Sequence, residues 1–159
     1  RRIDLIEDFA SAIPVEIIGN LLGVPHEDRG PLREWSLAIL GALEPVLTPE
    51  QLERGNRSIA DFLVYLRELV AHRREHPGNP ERDVLTRLIQ GEADGEKLTE
   101  NELYQNCIFL LNAGHETTTN LIGNGLVALL EWPQERERLL ADPELIRTAV
   151  EEFLRFESS

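Results

Sequence analysis

Apolar residues recur along most of this chain at spacings of three and four, the period of a helix with one covered face. Ile3, Ile6, Phe9, Ile13, Ile17, Ile18, Leu21 and Leu22 form the first such run; Pro14 breaks or restarts its turn, and Gly23-Val24-Pro25 ends it. A second run from Leu32 through Trp35 to Leu43 stops near Glu44-Pro45. Thr48-Pro49-Glu50-Gln51 then reads as a strong helix start, with an N-cap threonine, a proline in the first turn and a glutamine positioned to close a capping box. Ile59, Phe62, Leu63, Leu66, Leu69 and Val70 give that long helix its apolar stripe, and His76-Pro77-Gly78-Asn79-Pro80 terminates it. Val84 to Ile89 makes a short helix ending at Gly91, and Asp94-Gly95 makes a turn.

A second capping box, Thr99-Glu100-Asn101-Glu102, opens a pattern that meets no proline until Trp132-Pro133. About 31 residues at 1.5 Å each give a helix of roughly 46 Å. It is apolar on nearly all sides through Cys107 to Leu111 and Leu121 to Leu130, the mark of a long central helix buried in a larger body. Pro133 to Ala141 gives a short helix, and Asp142-Pro143 caps a last one through Val150, Phe153 and Leu154. No strand pair stands out. The expectation is an all-α fold, with residues 1–159 forming a single partial domain.

One face of the long helix departs from its apolar character. Phe109, Asn112, Ala113, Glu116, Thr117 and Asn120 fall at i, i+3, i+4, i+7, i+8 and i+11 and share a side. Burying a carboxylate and two amides costs several kcal/mol unless partners or water meet them, so the cluster points to a cavity or solvent channel. Gly114 costs about 1 kcal/mol relative to alanine in mid-helix and is tolerated where something approaches the backbone closely.

Composition narrows the partners. Sixteen basic and 29 acidic residues give a formal charge of −13, which repels nucleic acid and anionic membrane surfaces. No apolar run approaches the roughly 20 residues that span a bilayer. Cys107 is the sole cysteine, which excludes an internal disulfide and makes a reducing, cytoplasmic compartment the default. The chain has no methionine and opens directly into a helical pattern, so it reads as an internal piece of something longer.

Ala113-Gly114-His115-Glu116-Thr117-Thr118 resembles the Ala-Gly-x-Asp/Glu-Thr-Thr signature of the cytochrome P-450 distal helix. Glu152-Phe153-Leu154-Arg155, preceded by Ala149-Val150-Glu151, is similar to the same family's Glu-x-x-Arg motif as it occurs in bacterial members. The order of elements fits the middle of that fold across nearly the whole chain.

The resemblance implies a haem-thiolate monooxygenase that inserts one oxygen atom of O2 into a small organic substrate. Its cofactor would be haem b, with electrons originating in NAD(P)H and arriving from a ferredoxin- or flavoprotein-type donor. By resemblance, Ala113 and Gly114 leave room for dioxygen, Thr117 hydrogen-bonds it, and Glu116 relays protons from solvent. Phe109 and Asn112 line the substrate pocket, with Asn112 offering a hydrogen bond. Glu152 and Arg155 form a buried structural pair completed by a third, downstream residue. The family's iron-ligating loop, Phe-x-x-Gly-x-x-x-Cys-x-Gly, has no match, and Cys107 sits in an apolar run as a small core residue. No iron ligand is therefore expected in this chain, and the 159 residues alone are expected to be inactive.

Other chemistry fares worse. His115-Glu116 would need a second histidine at position 119 to make a zinc-protease motif, and that residue is Thr119. His72 and His76 stand four apart and could share a metal, but Arg73 and Arg74 beside them disfavour a cation, and charge complementing the helix dipole is the preferred reading. No metal site is assigned. The alternative to the monooxygenase reading is a non-catalytic helical fragment that self-associates through uncovered faces, favoured if Leu121 to Leu130 exposes an apolar patch.

Overall fold

The computed structural model describes residues 3–91 and 98–157, and these form helices and connecting turns with no strand. The Asp94-Gly95 turn expected from the sequence lies outside the described residues. Among the described residues seven α-helices follow in order: α1 (Ala12–Leu21), α2 (Gly30–Gly41), α3 (Pro49–Glu75), α4 (Val84–Gln90), α5 (Glu100–Glu131), α6 (Pro133–Ala141) and α7 (Ile146–Phe156). A π-helical turn, Ile6–Ala10, precedes α1. Pro14 is the third residue of α1, within the first turn, where its missing N–H leaves no helical bond unmade.

The chain divides into two compact units, Val15–His115 and Arg1–Pro14 with Glu116–Ser159. The first unit holds one continuous core that includes Ile18 of α1, Leu22 just after it, Leu32 of α2, Phe62 and Leu66 of α3, Leu85 of α4, and Leu103, Cys107 and Leu111 of α5. Trp35 stacks on Phe62 at 5.0 Å between ring centroids and tilts against Tyr65 at 5.9 Å, which locks α2 onto α3. Both expected capping boxes are formed. Gln51 N–H donates to Thr48 Oγ1 at 3.2 Å while Thr48 N–H donates to Gln51 Oε1 at 2.8 Å. Glu102 N–H donates to Thr99 Oγ1 at 3.3 Å while Thr99 N–H donates to Glu102 Oε2 at 2.8 Å.

Gly23 ends α1 with φ +64°, a conformation most side chains resist. Val24 N–H reaches Gly19 O at 2.8 Å and Gly23 N–H reaches Asn20 O at 3.2 Å, the paired bonds of a Schellman stop. Gly23 O then accepts from Arg73 Nη2 of α3 at 2.8 Å. Arg73 Nε pairs with Asp83 Oδ2 at 3.1 Å, and Asp83 Oδ1 accepts from Thr86 N–H at 2.9 Å to cap α4. One guanidinium thus links the end of α1, the last turn of α3 and the start of α4.

In the second unit Ile6 packs on Gly123 of α5, and the Phe153 ring of α7 lies against Gly125. α6 and α7 bury no residue fully. A groove of about 550 Å³ runs between the end of α5, α6 and α7, lined by Leu129, Trp132, Leu139, Phe153 and Phe156 among others. Among the described residues no helix is long and apolar enough to cross a membrane.

Candidate active site

α5 is 32 residues long and its sides differ sharply. Leu103, Tyr104, Cys107, Leu111 and His115 are all buried, and at about 100° per residue they fall on one side of the helix. The other side is an exposed strip. Phe109 is 66% exposed, and Ala113, Glu116, Thr117 and Asn120 are exposed with it. All five lie within about 60° of Ala113 around the helix axis. The strip therefore sets a single methyl group between a phenyl ring on one flank and a carboxylate and a hydroxyl on the other.

Asn112 and Gly114 lie about 100° to either side of Ala113, on the shoulders of the strip. Asn112 Oδ1 is buried without a hydrogen-bond partner, a state that costs about 1–3 kcal/mol for an amide acceptor. Gly114 faces α1: a Cβ built on it would stand 3.0 Å from Ile18 Cδ1. The sequence signature groups Gly114 with Ala113, whereas the structure gives Gly114 a packing reason of its own, the close approach of α1 to α5.

Cys107 is fully buried, about 120° around the helix from Ala113. Burial pushes its thiol up to about 12, so it stays protonated and is a poor metal ligand. This agrees with its reading as a core residue. Among the described residues no group of three or more histidine, cysteine, aspartate and glutamate side chains is arranged to hold a metal ion.

Glu152 and Arg155 do meet. Arg155 Nε donates to Glu152 Oε2 at 2.7 Å and Nη2 to Oε1 at 2.5 Å, a two-pronged guanidinium–carboxylate pair. The hydrogen bond to Arg155 holds the Glu152 carboxyl below its ordinary range. Both side chains are well exposed, at 56% and 70%, rather than buried as the resemblance implies, and both border the groove along α7.

His115, which the sequence offers only as half of an incomplete zinc motif, is a core residue. Its imidazole is 1% exposed, and burial first, then the nearby Arg33 guanidinium of α2, lowers its pKa. Its register was the available signal, since His115 shares the helix side of Leu111 and Cys107.

A model of the cytochrome P450 family matches residues 37–153. The biotin biosynthesis cytochrome P450 of Bacillus subtilis is 39% identical over 158 residues, covering 99% of this chain and 39% of the relative. The ligand-free structure of cytochrome P450 TbtJ1 superposes with a TM-score of 0.88 at 41% identity, covering 98% of this chain and 40% of that one. P450BioI, crystallised with an acyl carrier protein ligated to hexadec-9Z-enoic acid, gives a TM-score of 0.88 at 39% identity, covering 98% and 39%. The chain thus spans about two fifths of the length of the proteins it matches. With the distal-helix signature on one continuous helix and the Glu-x-x-Arg pair formed, the chain belongs to the cytochrome P450 family.

Proposed function

We propose that the protein containing these residues is a haem-thiolate monooxygenase that hydroxylates a small organic substrate, and that residues 1–159 are part of its single catalytic domain. The observation that carries the proposal is the exposed strip on α5, where Ala113, Glu116 and Thr117 stand together beside Phe109. The strip fits the face of a haem on which dioxygen binds. Its centre is small, its flank is aromatic, and its only acid and hydroxyl lie on neighbouring positions. The buried, unpartnered Asn112 Oδ1 at its shoulder suits a site that accepts a donor when filled.

Haem supplies the centre at which dioxygen is reduced and split. The chain's own residues do the rest. Ala113 leaves room for dioxygen. Thr117 donates a hydrogen bond to it from its hydroxyl. Glu116, exposed toward solvent, takes up protons and passes them inward, because reducing one oxygen atom to water consumes two. Phe109 and Asn112 border the substrate, Asn112 through a hydrogen bond that would favour a substrate bearing a polar group. Electrons come from a ferredoxin- or flavoprotein-type donor and ultimately from NAD(P)H. The cysteine iron ligand is not Cys107, so the 159-residue chain alone is inactive.

A carbon monoxide difference spectrum of the reduced full-length protein tests the first step. A thiolate-type Soret shift is expected there and none in the 159-residue chain; its absence in the full-length protein would overturn the reading. In the full-length enzyme Glu116→Gln is expected to slow turnover by about 10²-fold. Thr117→Ala is expected to divert NAD(P)H consumption into peroxide. Unchanged turnover and coupling in both variants would remove the assigned proton path.

One observation favours a second reading for the isolated chain. Val127 and Leu130 at the end of α5 are 53% and 62% exposed, with Trp132 beside them at 50%, an apolar surface suited to self-association. Sedimentation of the 159-residue chain as a concentration-dependent oligomer would support it.

A further inference from the structure

We infer that His72 and His76 form a chelating site for a borderline divalent transition ion such as Ni2+ or Zn2+ at the end of α3, independent of the haem-type chemistry. Residues four apart on a helix lie one above the other. His72 is in the last turn of α3, and His76 is its C-cap. Both are exposed, so either ring can turn toward an ion. Their rings stack face to face, with centroids 4.7 Å apart and planes inclined by 22°.

That separation matches a shared ion once the two stacked rings turn so that their in-plane nitrogens converge. With a metal–nitrogen bond of about 2.0–2.1 Å, each ring centroid lies roughly 3.2 Å from the metal. Two imidazoles at neighbouring positions of a tetrahedral or octahedral ion then have centroids roughly 4.5–5.2 Å apart. The pair already sits inside that range, so binding asks for ring rotation and little backbone movement.

The charge objection raised by the neighbouring arginines falls away in three dimensions. Arg73 turns into the chain to Gly23 O and Asp83. Arg74 Nη1 pairs with Glu100 Oε1 at 2.7 Å. Each guanidinium is thus matched by a carboxylate, and the protein's charge of −13 favours a cation. Two imidazoles select borderline ions over Mg2+ and Ca2+, which prefer oxygen. Water would complete the coordination. A bound ion would clip the last turn of α3 to its cap and hold closed the helix end that Arg73 anchors.

Calorimetric titration of NiCl2 and ZnCl2 into the untagged full-length protein tests this, with MgCl2 as the comparison ion. One saturable site is expected for Ni2+ and Zn2+, raising the thermal midpoint. It should be lost in His72→Gln and in His76→Gln and kept in His26→Gln, which removes an exposed histidine elsewhere. The two variants should show the unmodified protein's circular dichroism in metal-free buffer, since the rings are exposed. Lowering the pH should release the ion, because a ligating imidazole must be unprotonated. Titrations that superpose for the unmodified protein and both variants would overturn the inference, as would Mg2+ giving the same response.

Discussion

His115 shows how much one side chain's surroundings decide. It is nearly inaccessible, and burial together with Arg33 depresses its pKa, so the folded protein holds it neutral where the unfolded chain would begin to protonate it. The unfolded state therefore binds more protons below about pH 6.5, the ordinary histidine value. His115 contributes no penalty above that pH, and stability falls as pH drops through it toward the lowered folded value. One proton limits the slope to about 1.4 kcal/mol per pH unit. Denaturant midpoints at pH 7.5 and 5.5 are expected to differ more for the unmodified protein than for His115→Leu, which has no proton to gain. Equal acid slopes in the two proteins would show that His115 does not carry the effect.

At the scale of elements, the Arg73 anchor is the contact on which three helix ends depend. Arg73 and Asp83 side chains are only 17% and 11% exposed, and removing one partner of such a pair leaves the other charge buried, at a cost of about 3–5 kcal/mol. Asp83→Ala also removes the α4 cap, worth about 1 kcal/mol. Asp83→Asn keeps a capping oxygen and loses the charge. Chemical denaturation is expected to rank unmodified protein above Asp83→Asn above Asp83→Ala. A cycle with Arg73→Met should show strong coupling to Asp83; additivity would mean the pair is not energetically joined. Nothing in the sequence announces this anchor, because Gly23 and Arg73 are 50 positions apart and no local pattern encodes their meeting. What local patterns do encode was legible: both capping boxes, the glycine stop of α1, the proline-free length of α5, and the face shared by Phe109, Ala113, Glu116, Thr117 and Asn120, from which the structure moves the sixth expected member, Asn112, to a half-buried shoulder. The burial of His115, the turn of Gly114 toward Ile18 and the exposure of the Glu152–Arg155 pair depend on which helix lies against which side. Periodicity finds a face without naming its neighbour.

At the scale of the whole molecule, the two units differ in how much each encloses. Val15–His115 surrounds a core in which Leu22, Leu32, Phe62, Leu66, Leu85, Cys107 and Leu111 have no exposure at all. In the other unit α6 and α7 bury nothing fully, while Leu140, Ile146, Leu154 and Phe156 are at least 43% exposed. Opening free energy follows buried apolar contact, so hydrogen exchange in the 159-residue chain is expected to be fast throughout α6 and α7 and slow in α3 and the first half of α5. Trypsin should cut first at Arg136, Arg138, Arg147 and Arg155. The family's relatives are more than twice as long as this chain, and the proposed function implies a longer parent whose further residues cover α7. In the full-length protein, then, α7 amides should gain protection, while those of α3, whose apolar face is already enclosed, should change little. Equal protection of α3 and α7 in the short chain would mean that α7 is held by contacts other than apolar burial, and would locate its stability in the bidentate Glu152–Arg155 pair and the Phe153 seat on Gly125.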